Sequence, residues 1–229
     1  ACDALGPHNK LILAPGLLGG AGVTTAGRLS IGGKSPLTNG VKESNAGGTA
    51  GDTLGKMGVK AVVVEGQPTQ GNYYILYIGN KKTELLPAKE ILGLGTYATS
   101  EKLQEKYGKE CTVISIGQAG EFSMAGAGIC VTGEPGQRSN HAARGGLGAV
   151  MGSKGLKAIV IEKANVKTIP FADMELFRSA SKRFVREIVD NPKLGPKGGT
   201  HVYGTAAITG AVNEMGSFPT RNFSTGRFE

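Results

Sequence analysis

Residues 140–162 read NHAARGGLGAVMGSKGLKAIVIE and combine an arginine, a glycine pair, a short helix and an apolar strand. In it, Arg144 is followed by two glycines, which let the main chain come close to a ligand and adopt conformations that a β-carbon forbids. Residues 147–154 predict a short helix that ends at Gly155, and residues 157–162 predict a buried strand. The start of a helix presents free N–H groups and a positive dipole end, so the stretch suits a phosphate. A loop that only turns a corner between strands is the alternative.

The same pattern occurs earlier in the chain, in residues 44–65, which read SNAGGTAGDTLGKMGVKAVVVE. A shift of 97 positions, from Gly51 to Gly148, also places the ending GVKAVVVE on GLKAIVIE. We infer an internal duplication over about 9–66 and 111–163, each copy holding a strand, a glycine loop, a short helix and a strand. Solenoid repeats are shorter and more numerous. Two copies of this size predict halves related by a pseudo-two-fold axis, with both glycine loops facing one ligand.

Glycine is the unusual feature of the composition. The 229 residues include 38 glycines, more than twice the ordinary share of about 7%. With 39% hydrophobic residues the chain is not of the disordered type, and the glycines stand where apolar strands end. The net charge of +8 favours an anionic ligand or an acidic partner. Nucleic acid is disfavoured, because the cations are scattered and have no aromatic platform beside them.

The cysteines bear on location and metal binding. Cys2, Cys111 and Cys130 are far apart and lack the spacing of a metal site. An odd number of cysteines favours a reducing compartment, so we expect a cytoplasmic location. No apolar run approaches the about 18 residues that span a bilayer, so we expect no membrane association. Since the sequence opens at Ala1 rather than at methionine, we expect a piece of a longer polypeptide.

The other predicted elements follow from apolar periodicity and turn residues. The pattern predicts strands over 9–14, 61–65, 112–116 and 128–132, a hairpin of 73–78 and 82–86 through Gly79-Asn80, a helix over 100–107 and a turn at Glu134-Pro135-Gly136. Asp173 predicts the N-cap of a helix that ends at Asn191-Pro192. We therefore expect a base domain over 1–168, and a helical linker with the truncated start of a further domain over 169–229.

Several common sites are excluded by inspection. Gly33-Lys34-Ser35 and Gly55-Lys56 lack the flanking residues of a phosphate-binding P-loop. A dinucleotide-binding fingerprint is absent, since no GxGxxG joins a strand to a helix. His8, His141 and His201 are spread out and form no zinc motif. The sequence therefore contains no self-contained catalytic set, and we expect no catalytic residue in it.

What remains is a set of anion-binding residues in two loops. Arginine contacts phosphate through paired hydrogen bonds, and main-chain amides supply further donors. The candidate binding residues are Arg28, Asn45, Ala46, Gly47, Gly48, Asn140, His141, Ala143, Arg144 and Gly145. A ligand held between two related halves should itself be two-fold or be present twice. We expect His141 to act through its main chain rather than as a base, whereas Asn45 can serve through its carbonyl or its side chain.

The chain resembles a known family in a series of short motifs, which occur in the family's order along nearly the whole chain. They are NKLILAPG, the GR of Arg28, KSPLT, SNAGG, VKAVVVEG, IGQAGE, HAARGGLGAVMGSKGLKAI and YGTA. These motifs resemble the N-terminal domain of the tungsten-containing aldehyde:ferredoxin oxidoreductases, and RGGLGAVMGSK is the most specific of them. The resemblance implies an α+β fold of two pseudo-two-fold-related β-sheet subdomains with short helices. On this base lies a bis-pyranopterin with tungsten, occasionally molybdenum, whose two phosphates are bridged by magnesium.

The resemblance also implies roles for single residues. Arg28 would contact a pterin phosphate, Asn45 and Gly47 would form the first loop, and Asn45 and His141 would offer carbonyls to magnesium. The residues around the second pterin would be Asn140, Ala143 and Arg144. Some family members have Arg-Ala-Ala-Gly before the arginine, where this chain has Asn140-His141-Ala142-Ala143, so one phosphate contact is missing here.

The family's iron–sulfur cysteines and acid–base residues have no match in this chain. The resemblance implies that the intact protein oxidises aldehydes to carboxylic acids and passes electrons through a [4Fe-4S] cluster in the missing domains to ferredoxin, and that this piece alone is inactive. A low-potential reductase acting on acids or thioesters is one alternative, and a non-catalytic module for another phosphorylated ligand is the second. The resemblance is also compatible with a homo-oligomer.

Overall fold

The computed structural model describes residues 2–69, 71–133, 139–165 and 169–228, so the turn predicted at Glu134-Pro135-Gly136 lies outside the described residues. The chain forms two compact units, residues 1–170 and 171–229. The first unit is a mixed α+β structure with two sheets, and the second is helical. In the described part of the chain, no helix is long and apolar enough to cross a membrane.

The first sheet has four strands, all antiparallel to their neighbours. They are β1 (Leu11–Pro15), β2 (Leu29–Lys34), β3 (Val41–Ala46) and β4 (Val62–Val64), in the spatial order β3-β2-β1-β4. Helix α1 (Ala50–Lys56) connects β3 to β4. The strand β3 was not expected, because four of the six residues in VKESNA are polar.

The second sheet has six strands in the order β6-β5-β10-β7-β8-β9. They are β5 (Tyr74–Ile78), β6 (Thr83–Pro87), β7 (Thr112–Ser115), β8 (Ile129–Val131), β9 (Asn140–Ala142) and β10 (Leu156–Ile161), with helices α2 (Thr96–Tyr107), α3 (Gln118–Glu121) and α4 (Leu147–Ser153) between them. Only the pair β5 and β10 is parallel among the described strands. Helix α2 begins four residues before the predicted start, where Gly95 accepts the first turn's hydrogen bond from Thr99.

The duplication is visible in the topology. The order β9-β8-β7-β10 repeats the order β3-β2-β1-β4, and α4 lies 97 positions after α1 at both of its ends. A β-carbon on Gly55 of α1 would overlap the carbonyl of Gly19, and one on Gly152 of α4 would overlap the carbonyl of Gly120. The same close approach of helix to loop therefore occurs in both copies. The predicted fold class, two related sheets with short helices, is confirmed.

The two copies share one hydrophobic core. Leu13 and Ile31 of the first sheet, Ile114 and Ile159 of the second, and Val150 of α4 belong to a single buried cluster. Both α1 and α4 contact strands of both sheets. Each fully buried leucine or isoleucine stabilises the fold by about 1.5–3 kcal/mol. This shared core holds the two copies in one fixed arrangement.

The second unit contains three helices, α5 (Met174–Asp190), α6 (Gly199–Tyr203) and α7 (Thr209–Glu214). Asp173 caps α5 as predicted, because its side chain accepts a hydrogen bond of 2.8 Å from the N–H of Leu176. No residue of α5 is buried, and the side chains of Leu176 and Phe184 are exposed. Several apolar side chains of this helix are therefore exposed.

Candidate functional site

The two glycine loops meet where an edge strand of one sheet approaches an edge strand of the other. Strand β3 is the outermost strand of the first sheet and β9 of the second, and the two strands are in contact. The N–H of Arg144, just after β9, donates a hydrogen bond of 3.3 Å to the hydroxyl of Ser44 in β3. A β-carbon on Gly47 would lie 3.5 Å from the side chain of Asn140. The duplication therefore brings the two loops to one place, as the sequence predicts.

A cavity of about 410 Å³ lies at this junction. It is lined by Arg28, Lys42, Glu43, Ser44, Asn45, His141, Ala143 and Arg144. Three of these side chains are cationic at neutral pH and one is anionic, so the lining has a net positive charge. Both arginines and His141 are exposed to solvent. The cavity is therefore an open, positively charged depression that suits an anionic ligand.

Arg28 is held in a fixed position by Asn45. Its Nε donates a hydrogen bond of 2.8 Å to Oδ1 of Asn45, and its Nη2 donates one of 2.5 Å to the same oxygen. Nη2 also lies 3.4 Å from the main-chain oxygen of Asn45. The two residues are brought together by the pairing of β2 with β3, in which Ser30 lies opposite Asn45. One edge of the guanidinium is thus occupied by protein.

Glu43 continues this polar chain. Its Oε1 accepts hydrogen bonds from Nδ2 of Asn45 at 3.1 Å and from the hydroxyl of Ser30 at 2.8 Å. These two hydrogen bonds, aided by the charges of Lys42 and Arg28, hold the pKa of the Glu43 carboxyl below its usual value. Glu43 is therefore ionised at neutral pH, although it lines a cavity that is otherwise cationic.

Glycine at position 145 makes room for a lysine. The residue has a φ of +80°, and a β-carbon there would overlap the side chain of Lys42. The aliphatic part of Lys42, from the first copy, therefore lies against the main chain of the second copy. This packing orders a third cation beside Arg144 at the cavity.

The structure divides the ten predicted binding residues into two groups. Arg28, Asn45, His141, Ala143 and Arg144 line the cavity, and Gly47 and Asn140 face each other beside it. The remaining three do not line it, since Ala46 is buried in the core, Gly48 packs against the carbonyl of Thr132 and Gly145 packs against Lys42.

Sequence analysis missed Lys42, Glu43 and Ser44, which also line the cavity. Their positions directly before Asn45 were a signal, because alternate residues of a strand share a face and Glu43 and Asn45 are two apart. That signal was lost because residues 45–48 were interpreted as a loop. The described residues contain no group of three or more His, Cys, Asp or Glu side chains that could hold a metal ion.

The fold and the cavity define a class of protein, a duplicated α+β domain with a cationic cavity between its two halves. Residues 1–163 match the family described as aldehyde ferredoxin oxidoreductase, N-terminal domain. The chain belongs to this family, and the resemblance inferred from its motifs is confirmed.

Several oxidoreductases are similar to most of this chain. The chain is 40% identical to the tungsten-containing aldehyde ferredoxin oxidoreductase of Pyrococcus furiosus over 98% of its own length and 35% of the relative's. The chain is 39% identical to the protein of the same name from Thermococcus kodakarensis, over 99% of its own length and 36% of the relative's. The chain is also 32% identical to the aliphatic sulfonate oxidoreductase, WOR-like subunit, of Pyrococcus furiosus, over 81% of its own length and 30% of the relative's. The chain thus spans about a third of the length of these relatives.

A solved structure shares the fold. It is the active site complex BamBC of benzoyl coenzyme A reductase in complex with 1,5 dienoyl-CoA, with a TM-score of 0.74 and 30% identity. The match covers 82% of this chain and 27% of the other.

Proposed function

We propose that the cavity between β3 and β9 binds the phosphates of a bis-pyranopterin that carries tungsten, or molybdenum in its place. Arg28 and Arg144 contribute one guanidinium from each copy, and main-chain N–H groups of the two loops contribute further donors. Gly47 and Asn140 lie where the loops approach each other, and Ala143 lines the cavity with a methyl side chain. The observation that supports this most strongly is the meeting of both loops at one cationic cavity in a chain of a tungsten family.

The residues present fit such a ligand. A doubled phosphate ligand suits a cavity with cations from both copies, and Arg28 is already held in place for it by Asn45. From the family resemblance we assign Asn45 a main-chain carbonyl contact to magnesium, and His141 the corresponding carbonyl contact in the second copy. Both contacts are independent of the side chain, so a histidine at position 141 is compatible with them.

The bound metal and pterins would supply the redox chemistry, and this chain would position them and neutralise their charge. We propose that the intact protein oxidises aldehydes to carboxylic acids and transfers electrons through a [4Fe-4S] cluster outside this chain to ferredoxin. Its location would be the cytoplasm. The candidate catalytic residues lie outside this chain, so the 229 residues alone are expected to be inactive.

A second candidate has a specific observation in its favour. The structural match is the active site complex of a benzoyl coenzyme A reductase. A low-potential reductase acting on acids or thioesters would use the same cofactor-binding base. The aldehyde-oxidising assignment is preferred because the identity to the aldehyde ferredoxin oxidoreductases is higher, 40% against 30%, and extends over more of this chain.

Metal and ligand analysis of the intact protein tests the proposal. Tungsten or molybdenum should co-purify with about two pterins per polypeptide, and aldehydes should reduce ferredoxin. Reduction of a thioester in place of aldehyde oxidation would support the second candidate. A metal-free protein that holds a different phosphorylated ligand would overturn both and leave a non-catalytic binding module.

A further inference from the structure

Four polar side chains at the cavity form one connected chain of hydrogen bonds. It runs from Ser30 to Glu43, from Glu43 to Asn45 and from Asn45 to Arg28. Glu43 and Asn45 are two residues apart on β3, while Ser30 and Arg28 belong to β2 and the residue before it. The chain of contacts therefore depends on the register of β2 with β3, in which Ser30 lies opposite Asn45.

Glu43 and Arg28 together determine which way the amide of Asn45 points. A carboxylate only accepts hydrogen bonds, so it selects the Nδ2 end of the amide and turns Oδ1 towards Arg28. Oδ1 then accepts from both Nε and Nη2, which fixes the plane of the guanidinium. Among the described residues, no protein group accepts a hydrogen bond from Nη1 of Arg28. Glu43 therefore helps to orient the free edge of the Arg28 guanidinium without contacting it.

The charge of Glu43 and its hydrogen-bond geometry predict opposite effects on the binding of an anion. By charge alone, an ionised carboxylate beside Arg28, Lys42 and Arg144 weakens the binding of an anion. By geometry, the same carboxylate strengthens binding, because it holds the arginine ready and lowers the conformational freedom lost when the ligand binds. The two effects have different signs, so an experiment can separate them.

We propose that Glu43 is a positioning residue for the phosphate-binding arginine, and acts through Asn45 to orient Arg28. This inference rests on the proposed function, since the anion it serves is the pterin phosphate. The inference assigns a functional role to the Glu43 carboxylate, although its negative charge alone would disfavour the binding of a phosphate. Outer contacts of this kind commonly change ligand or metal affinity by about 10- to 100-fold.

The test compares Glu43→Ala, Glu43→Gln and Glu84→Ala in the intact protein. Glu84 is a matched control, because it is an ion-paired surface carboxylate on β6, away from the cavity. The measurement is the rate at which tungsten and pterin are lost from each protein during dialysis against a magnesium chelator. We expect loss about 10- to 100-fold faster for Glu43→Ala, and a rate close to wild type for Glu84→Ala. Glu43→Gln should also lie close to wild type, because its amide oxygen still accepts from Asn45 and Ser30.

Two further measurements distinguish a positioning role of Glu43 from a general loss of stability. Glu43 is exposed, so the thermal unfolding midpoint of Glu43→Ala should match that of wild type. The pair Glu43→Ala and Asn45→Ala should be non-additive, with the double variant losing cofactor no faster than Asn45→Ala alone. The positioning role would be overturned if wild type contains the cofactor and Glu43→Ala loses it at the same rate or more slowly. That result would leave the proposed function intact. A wild-type protein without tungsten, molybdenum or pterin would overturn both.

Discussion

The main-chain N–H of Arg144 donates a hydrogen bond to the hydroxyl of Ser44, 3.3 Å away, and so joins the second copy of the duplication to the first. Edge strands usually leave unpaired main-chain groups that attract other chains. Here, the edge strands β3 and β9 lie against each other and enclose a cationic cavity. Residues 100 positions apart thus depend on each other for the geometry of the site.

Replacement of Arg144 by alanine should deplete tungsten and pterin from the intact protein. The side chain is exposed at the cavity, whereas its N–H, which contacts Ser44, is retained in the variant. A charged hydrogen bond of this type contributes about 1.5–3 kcal/mol, which corresponds to a loss of about 10- to 100-fold in affinity. Elemental analysis and pterin quantification measure the effect. Unchanged metal content, with an unfolding midpoint equal to wild type, would contradict the assigned role.

Replacement of Lys42 by methionine should also lower cofactor retention, but by less than the change at Arg144. The lysine stem packs against Gly145, so methionine keeps the apolar contact and removes only the charge. A lysine offers a point charge, without the paired geometry of a guanidinium. Lys42→Arg, which keeps the charge, is the matched control. Retention that is equal in Lys42→Met and Lys42→Arg would show that the charge of Lys42 does not act on the ligand.

The sequence predicted the apolar elements of the two copies more accurately than the polar strand β3. Helix α4 (Leu147–Ser153) and strand β10 (Leu156–Ile161) lie within one residue of the prediction, because an apolar helix, a glycine stop and an apolar strand follow each other. Strand β3 was missed because its polar residues face the cavity and its inward positions, Ser44 and Ala46, are small. The strands that build the site were thus the ones with the weakest hydrophobic pattern.

The sequence also indicated which residues meet, but not how they are oriented. Repetition of the glycine loops was enough to predict that Asn45 and Arg144 lie near one cavity. The contact of Arg28 with Asn45, and the part of Glu43 in it, depend on the register of β2 against β3. Register is set by tertiary packing, and a sequence without a clear alternation of polar and apolar residues does not reveal it.

Replacement of Gly152 by alanine should destabilise the fold. The new methyl group would overlap the carbonyl of Gly120, and main-chain atoms cannot move aside as a flexible side chain can. Overpacking of this kind costs about 1–3 kcal/mol. Gly126→Ala is the matched control, since nothing lies within 4 Å of a β-carbon there. Thermal unfolding of the intact protein should give a lower midpoint for Gly152→Ala only, and equal midpoints would contradict the close approach.

Replacement of Lys157 by methionine should destabilise the fold more strongly. The Lys157 side chain is fully buried, and its Nζ lies 2.5 Å from Oε1 of Glu121 while donating to the carbonyls of Leu94 and Ile116. Removing one partner leaves a nearly buried carboxylate without its counter-charge, which costs about 3–5 kcal/mol. Glu121 also accepts from the N–H of Gly93, and this contact offsets only part of the loss.

The double variant Lys157→Met with Glu121→Gln separates the charge from the packing. Glutamine removes the uncompensated charge, so the double variant should unfold at a higher temperature than Lys157→Met alone, although below wild type because two carbonyls remain without a donor. Additive losses in the two single variants and the double variant would mean that the ion pair contributes nothing beyond its separate residues. Recovery in the double variant would instead show that the unpaired charge of Glu121 causes most of the loss, and that the ion pair stabilises the contact between β10 and α3.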